Sequence, residues 1–141
     1  MKVFFDSNVF LHHLAGTSQK ATELLERVES GEISGYVNDV VVSEVIYGYL
    51  RATTDLKPHR LRKEILKLNF DLSPVKELLE MFSILPCNYG AGIVEIIEKY
   101  REKYRILPND ALIAATCKHY GIRRIATFDE DFKRLDFLEV V

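Results

Sequence analysis

The sequence has few of the residues that would mark it as a stapled, zinc-bound or membrane-inserted protein. Its two cysteines, Cys87 and Cys117, have no CxxC spacing, which argues against a disulfide framework or a zinc ribbon. Their neighbours are apolar, so both are expected to be buried free thiols in a reducing cytoplasm. His12 and His13 are adjacent, face different ways on a helix, and have no third soft ligand near them, so zinc is not expected. No apolar run approaches the roughly 20 residues of a membrane span. Asp6 interrupts the apolar N-terminus and no small-residue cleavage site follows it, so neither a signal peptide nor membrane association is expected. Charge of one sign is also missing: 19 Lys and Arg face 21 Asp and Glu, and any contact with a polyanion has to come from a local basic patch. There are no repeats, low-complexity tracts or linkers. What remains is 48% hydrophobic, enough for a continuous core, and residues 1–141 are expected to form a single domain.

Strands and helices alternate along the chain. KVFF predicts a buried strand that stops at Asp6-Ser7-Asn8, residues suited to turns and helix caps. From Thr17 or Ser18, the spacing of Ala21, Leu24, Leu25 and Val28 predicts a helix ended by Gly31. Tyr36-Val37 predicts a second strand, after which Asn38 and Asp39 can cap a helix from Val40 to about Leu50. Residues 58–69 predict a helix with Leu61, Ile65 and Leu68 inward. A short helix near Val75–Phe82, a brief strand in SILPC and a helix over Gly90–Tyr104 follow. Pro108-Asn109-Asp110 punctuates, and Ala111–Tyr120 reads as a compact apolar helix closed by Gly121. Arg124–Phe128 and Phe137–Val141 complete the strands. The alternation predicts an α/β fold with a mainly parallel sheet covered on both faces.

Four acids are placed against their surroundings. Asp6 and Asp129 each follow a buried strand, where open α/β sheets bind ligands. Glu44 lies on a helix face made by Val40, Val41, Tyr47 and Gly48, and Asp110 opens the apolar helix ALIAATC. Each acid has an ordinary reading by itself: Asp110 as a helix cap, Asp6 as a turn residue, Glu44 as a side chain reaching solvent, Asp129 as part of a solvated loop with Glu130 and Asp131. The conjunction is what points to chemistry, because several acids aimed at one sheet edge need a shared cation to be tolerated. All-oxygen ligands suit Mg2+ or Mn2+, and such ions favour phosphodiester substrates.

With these residues identified, the chain resembles PIN-domain proteins, specifically the VapC-type ribonuclease toxins and their archaeal relatives. FFDSNVFL, VVVSEVIYG, LPNDALIAAT and IATFDEDF resemble the four acidic motifs of that family, in order. The resemblance implies a three-layer α/β/α fold with a five-stranded sheet and a metal site of Asp6, Glu44, Asp110 and Asp129. It also implies Asp131 as a further or substitute ligand, with Ser7, Asn8 and Thr127 in support, and frequent dimerisation. The expected mechanism is metal-assisted hydrolysis of RNA, with Glu44 completing the ligand shell or orienting water. Arg51, Lys57, Arg60, Arg62, Lys63 and Lys67 form a local basic excess suited to RNA phosphates, or otherwise a solvated helix face. Tyr47 and Tyr49 are expected in the core, with base stacking as the alternative role. An antitoxin protein and a second copy of the chain are the expected protein partners. Two competing readings are a phosphoryl-transfer hydrolase, which wants a second acid where Asn8 stands, and a non-catalytic metal-binding interaction module.

Overall fold

In the computed structural model, which describes residues 1–141, five strands form one wholly parallel sheet in the order β3-β2-β1-β4-β5. They are β1 (Lys2–Phe5), β2 (Ser34–Asn38), β3 (Ser83–Leu85), β4 (Arg124–Ala126) and β5 (Glu139–Val140). The central position falls to β1 because Val3, Phe4 and Phe5 are apolar on both faces, and all three are fully buried. Phe4 stands in register with Tyr36 on one side and Ile125 on the other.

Seven helices connect the strands: α1 (Ser7–Leu14), α2 (Gln19–Glu29), α3 (Asp39–Thr54), α4 (Pro58–Glu64), α5 (Ser73–Leu79), α6 (Ile93–Tyr104) and α7 (Pro108–His119). From β1 the chain steps outward through β2 to β3, then crosses back to β4. Right-handed crossovers therefore put α1–α5 on one face and α6–α7 on the other. One apolar core runs through all three layers, from Leu24, Leu25 and Val28 of α2 through Phe4 and Val37 to Ile113 and Ala114 of α7. Adjacent β1 and β4 send their following segments to opposite faces. That leaves a crevice at their carboxyl ends, the usual ligand position in such sheets. No helix is long and apolar enough to cross a membrane.

Several local predictions need correction. Of the turn or helix cap expected at Asp6-Ser7-Asn8, the structure has the cap: Asp6 caps α1, its carboxylate accepting the Ser7 N–H. Helix α3 continues past Leu50 to Thr54 and ends at Asp55, whose φ of 52° is left-handed. Residues 58–69 are not one helix, because α4 stops at Glu64 and a 3-10 turn follows over Ile65–Lys67. Of the expected stripe only Leu61 is buried; Ile65 is exposed and Leu68 half-buried. Gly90–Gly92 forms a 3-10 turn, so α6 starts at Ile93. Pro108 begins α7, where its missing N–H costs nothing, so Asp110 lies within the first turn rather than ahead of the helix. Thr127 and Phe128 lie beyond β4, and β5 is confined to Glu139–Val140. Tyr47 is exposed rather than core, and Cys87 is half-buried while Cys117 is fully buried, both as free thiols.

Candidate active site

The crevice between β1 and β4 collects the acids. Asp6 continues the β1 ladder, its N–H donating to the Ala126 carbonyl, and its side chain is buried. Both of its carboxylate oxygens are engaged. Oδ1 accepts the Ser7 N–H at 2.8 Å, while Oδ2 accepts Thr127 Oγ1–H at 2.7 Å and Asn8 Nδ2–H at 3.0 Å. Thr127 Oγ1 in turn accepts the Asp129 N–H at 3.0 Å, and Asp129 Oδ1 accepts the Asp131 N–H at 2.9 Å. Ser7, Asn8 and Thr127 thus tie the end of β1 to the loop after β4. A carboxylate held through both oxygens suits a fixed ligand better than an attacking nucleophile, which weighs against the phosphoryl-transfer reading.

Glu44 reaches the same crevice from α3. Its Oε2 accepts Ser7 Oγ–H at 3.4 Å, while Oε1 is buried with no hydrogen-bond partner in the protein. Gly48, one turn beyond Glu44, lies close against α1: a Cβ there would stand 2.6 Å from Leu11 Cδ1, and the Leu11 side chain would have to move. Asp110 enters from the first turn of α7, which starts without a side-chain cap, so the cap reading of Asp110 does not hold. Carboxylate oxygens of Asp110, Asp129 and Asp131 all lie within 4.8 Å of one another. Asp6 and Glu44 stand outside this tightest grouping but within its field.

Electrostatics follow from crowding. Burial pushes Asp6 above its ordinary value, outweighing three hydrogen bonds that favour the anion, and Asp129 adds to the rise. Burial and the nearby Asp6 do the same to Glu44. Asp110 is pushed up to about 7, first by burial and then by Asp6, Asp129, Glu44 and Asp131. A helix N-terminus ordinarily favours an anion, so this rise means that repulsion and desolvation outweigh the dipole. Five acids, of which only Asp131 is paired with a basic side chain, Arg134, and one orphaned buried oxygen are donors of the type that can hold a hard cation.

The basic residues are dispersed. Arg51 lines a cavity of about 450 Å³ together with Ser7 and Glu44. Arg60 pairs with Glu64 at 2.7 Å, while Lys57, Arg62, Lys63 and Lys67 are exposed along α4 and the following turn. Tyr49 lines a second cavity of about 590 Å³ between α1 and α3, with Asn8, His12 and Gly48.

Sequence reasoning missed Arg134. Its guanidinium donates to Asp131 Oδ1 at 2.8 Å, to the Tyr104 carbonyl at 2.9 Å and to the Arg105 carbonyl at 2.7 Å. It therefore joins the turn bearing Asp131 to the end of α6, just ahead of Asp110. The signal was present as an Arg three positions after an Asp.

Known proteins agree with this architecture. The family model described as PIN domain matches residues 3–138. The chain is 49% identical to Ribonuclease VapC2 of Methanocaldococcus jannaschii, an alignment covering 99% of this chain and 93% of that protein. Among solved structures, VapBC2 from Rickettsia felis bound to a promoter DNA fragment superposes with a TM-score of 0.66. That match has 17% identity and covers 100% of this chain and 98% of the other. A toxin-antitoxin complex from Klebsiella pneumoniae also gives 0.66, at 20% identity, over 99% and 95%. A five-stranded parallel sheet gathering these acids between β1 and β4, with a full-length family match and a near-half-identical relative, makes the chain a member of the PIN-domain family, of the VapC type.

Proposed function

We propose that this chain is an endoribonuclease dependent on Mg2+ or Mn2+ and the toxin of a toxin-antitoxin pair, its nuclease domain spanning residues 1–141. The observation that carries this reading is the buried, unpartnered Glu44 Oε1 on a residue whose charge, with those of Asp6, Asp129 and Asp131, raises Asp110. The donor set fits the ion. Carboxylate oxygens of Asp110, Asp129 and Asp131 lie within 4.8 Å of one another, so these three residues could share one hard cation.

Asp6, Asp110 and Asp129 would hold the cation, with Asp131 as a further ligand. The cation would polarise the scissile phosphate and lower the pKa of a water molecule. Glu44 Oε1 accepts a hydrogen bond from the attacking water and orients it toward phosphorus. Asp6 stays fixed by Ser7, Asn8 and Thr127 and forms no covalent intermediate. Arg51, which lines a cavity with Ser7 and Glu44, steers the strand; Lys57, Arg60, Arg62, Lys63 and Lys67 contact flanking phosphates. An antitoxin is proposed as a protein partner by likeness to the Klebsiella toxin-antitoxin complex, and a second copy of the chain from the family resemblance. The cytoplasm is the proposed compartment, consistent with two free thiols.

Cleavage of RNA by the purified protein, with Mg2+ or Mn2+ and again with a chelator, tests this reading. Cutting that needs the metal is expected, together with a salt dependence of RNA affinity that flattens when Arg60 and Lys63 are made neutral. Undiminished cutting in chelator, or no cutting of any RNA, overturns it.

A further inference from the structure

Of the eight phenylalanines, five are buried and two half-buried; Phe128 alone is exposed, at 37%. It stands between two fixed residues, Thr127, which donates to Asp6, and Asp129, which lies in the acid cluster. Its own N–H donates to Asn8 Oδ1 at 3.3 Å, so the backbone that carries the ring is held by the same network that holds the acids. The ring lies against the His12 imidazole, centroids 5.0 Å apart and planes at 69°. His12 is exposed as well, and its Nδ1 is hydrogen-bonded to Thr17 Oγ1 at 2.7 Å. Two exposed rings are therefore held edge to face at the rim of the crevice, one residue from the acid cluster.

Exposing a phenylalanine gives up the free energy of burying it, and ordering it in advance lowers the cost of putting something on it. Bases stack on aromatic faces regardless of their identity, provided they are unpaired. We propose that Phe128 and His12 form a stacking subsite for the nucleobase beside the scissile phosphate of an unpaired RNA segment. This rests on the ribonuclease reading above and adds to it a residue-level contact with the base.

The test compares Phe128→Leu, which keeps apolar bulk without a π face, with Phe128→Tyr, which keeps the face. Short unpaired RNAs carrying 2-aminopurine in place of each adenine in turn are titrated with each protein, and cleavage kinetics are measured in parallel. At one position the wild-type protein is expected to quench the probe. Phe128→Leu should lose that quenching and raise KM roughly tenfold, with kcat and the metal-induced rise in melting temperature unchanged; Phe128→Tyr should restore both. Wild-type KM and quenching in Phe128→Leu overturn the proposal, and loss of antitoxin binding in that variant would then assign the ring to a protein partner. Quenching is read at equilibrium, without turnover. A wild-type protein that cuts no RNA therefore defeats the ribonuclease reading by itself, while absence of quenching at every position defeats the stacking subsite.

Discussion

Two polar clusters are set into this apolar fold, one joining the residue that caps α3 to α7 and the other joining α3 itself to α7. The first is neutral: Asn38 and Thr116, each fully buried, meet at 3.0 Å from Nδ2 to Oγ1. Asn38 Oδ1 also accepts the Val41 N–H, and Thr116 Oγ1 donates to the Leu112 carbonyl with Cys87 Sγ beside it. The second is the acid cluster. Glu44 lies six residues beyond Asn38 and Asp110 six before Thr116, about 9 Å along each helix. In the neutral cluster the polar atoms find partners inside the protein. In the acid cluster like charges face one another and Glu44 Oε1 finds none. Satisfied neutral pairs hold helices together, whereas unsatisfied like charges have to be completed from outside.

The largest expected effect separates the two clusters by activity. Asp110→Asn is expected to lower RNA turnover about 1000-fold, some 4 kcal/mol in the transition state, while the metal-free protein becomes more stable because repulsion is relieved. Single-turnover cleavage and thermal melts measure both; unchanged turnover in a folded variant would erase the distinction. Next comes the cation itself. Mg2+ or Mn2+ at a hundredfold excess over Kd should stabilise the wild-type protein by about 2.7 kcal/mol and Asp110→Asn much less, a difference read by differential scanning calorimetry.

The neutral cluster should respond in the opposite way. Thr116→Val leaves Asn38 Nδ2 without an acceptor and is expected to cost about 1–3 kcal/mol in urea unfolding, while Thr116→Ser restores most of it and Kd for the cation hardly changes. The smallest effect is pH dependence without metal. Asp6, Glu44 and Asp110 have folded values raised above their ordinary 3.8, 4.5 and 3.8, so the folded state binds more protons than the unfolded one. Stability is therefore fully present near pH 4 and falls as pH rises through about 7, where Asp110 ionises. Allowing for the partial exposure of Asp110, the loss is on the order of 1 kcal/mol, and saturating cation should reverse its sign. Melting temperatures at pH 5 and pH 8, with and without Mg2+, decide it.

How much of this could be read from the sequence follows from the range of the interactions. Asp6 and Glu44 were legible because their signals are local: a carboxylate at the end of KVFF, and a glutamate whose helical neighbours are apolar. The parallel sheet was legible from alternation. Helix α1 was not, because it begins directly on the acid that caps it and is only eight residues long. The break after Glu64 escaped because the Leu61, Ile65, Leu68 stripe looks amphipathic whether or not anything packs on it. The Asn38–Thr116 pair, the Arg134 clamp and the Phe128–His12 pair join segments far apart in the chain or around a turn, and no spacing rule reports such meetings.

The register between Phe4 and Ile125 also orders events in time. During synthesis at about 5–20 residues per second, Asp6 leaves the ribosome roughly 6–25 seconds before Asp129. Until β4 arrives, β1 lacks one of its two neighbours, Thr127 has not reached Asp6, and the acids of the second half have no partners to crowd. A nascent fragment that stops short of Asp129 lacks one of the clustered acids, so on the proposed reading the site is completed only when the last strands have been made.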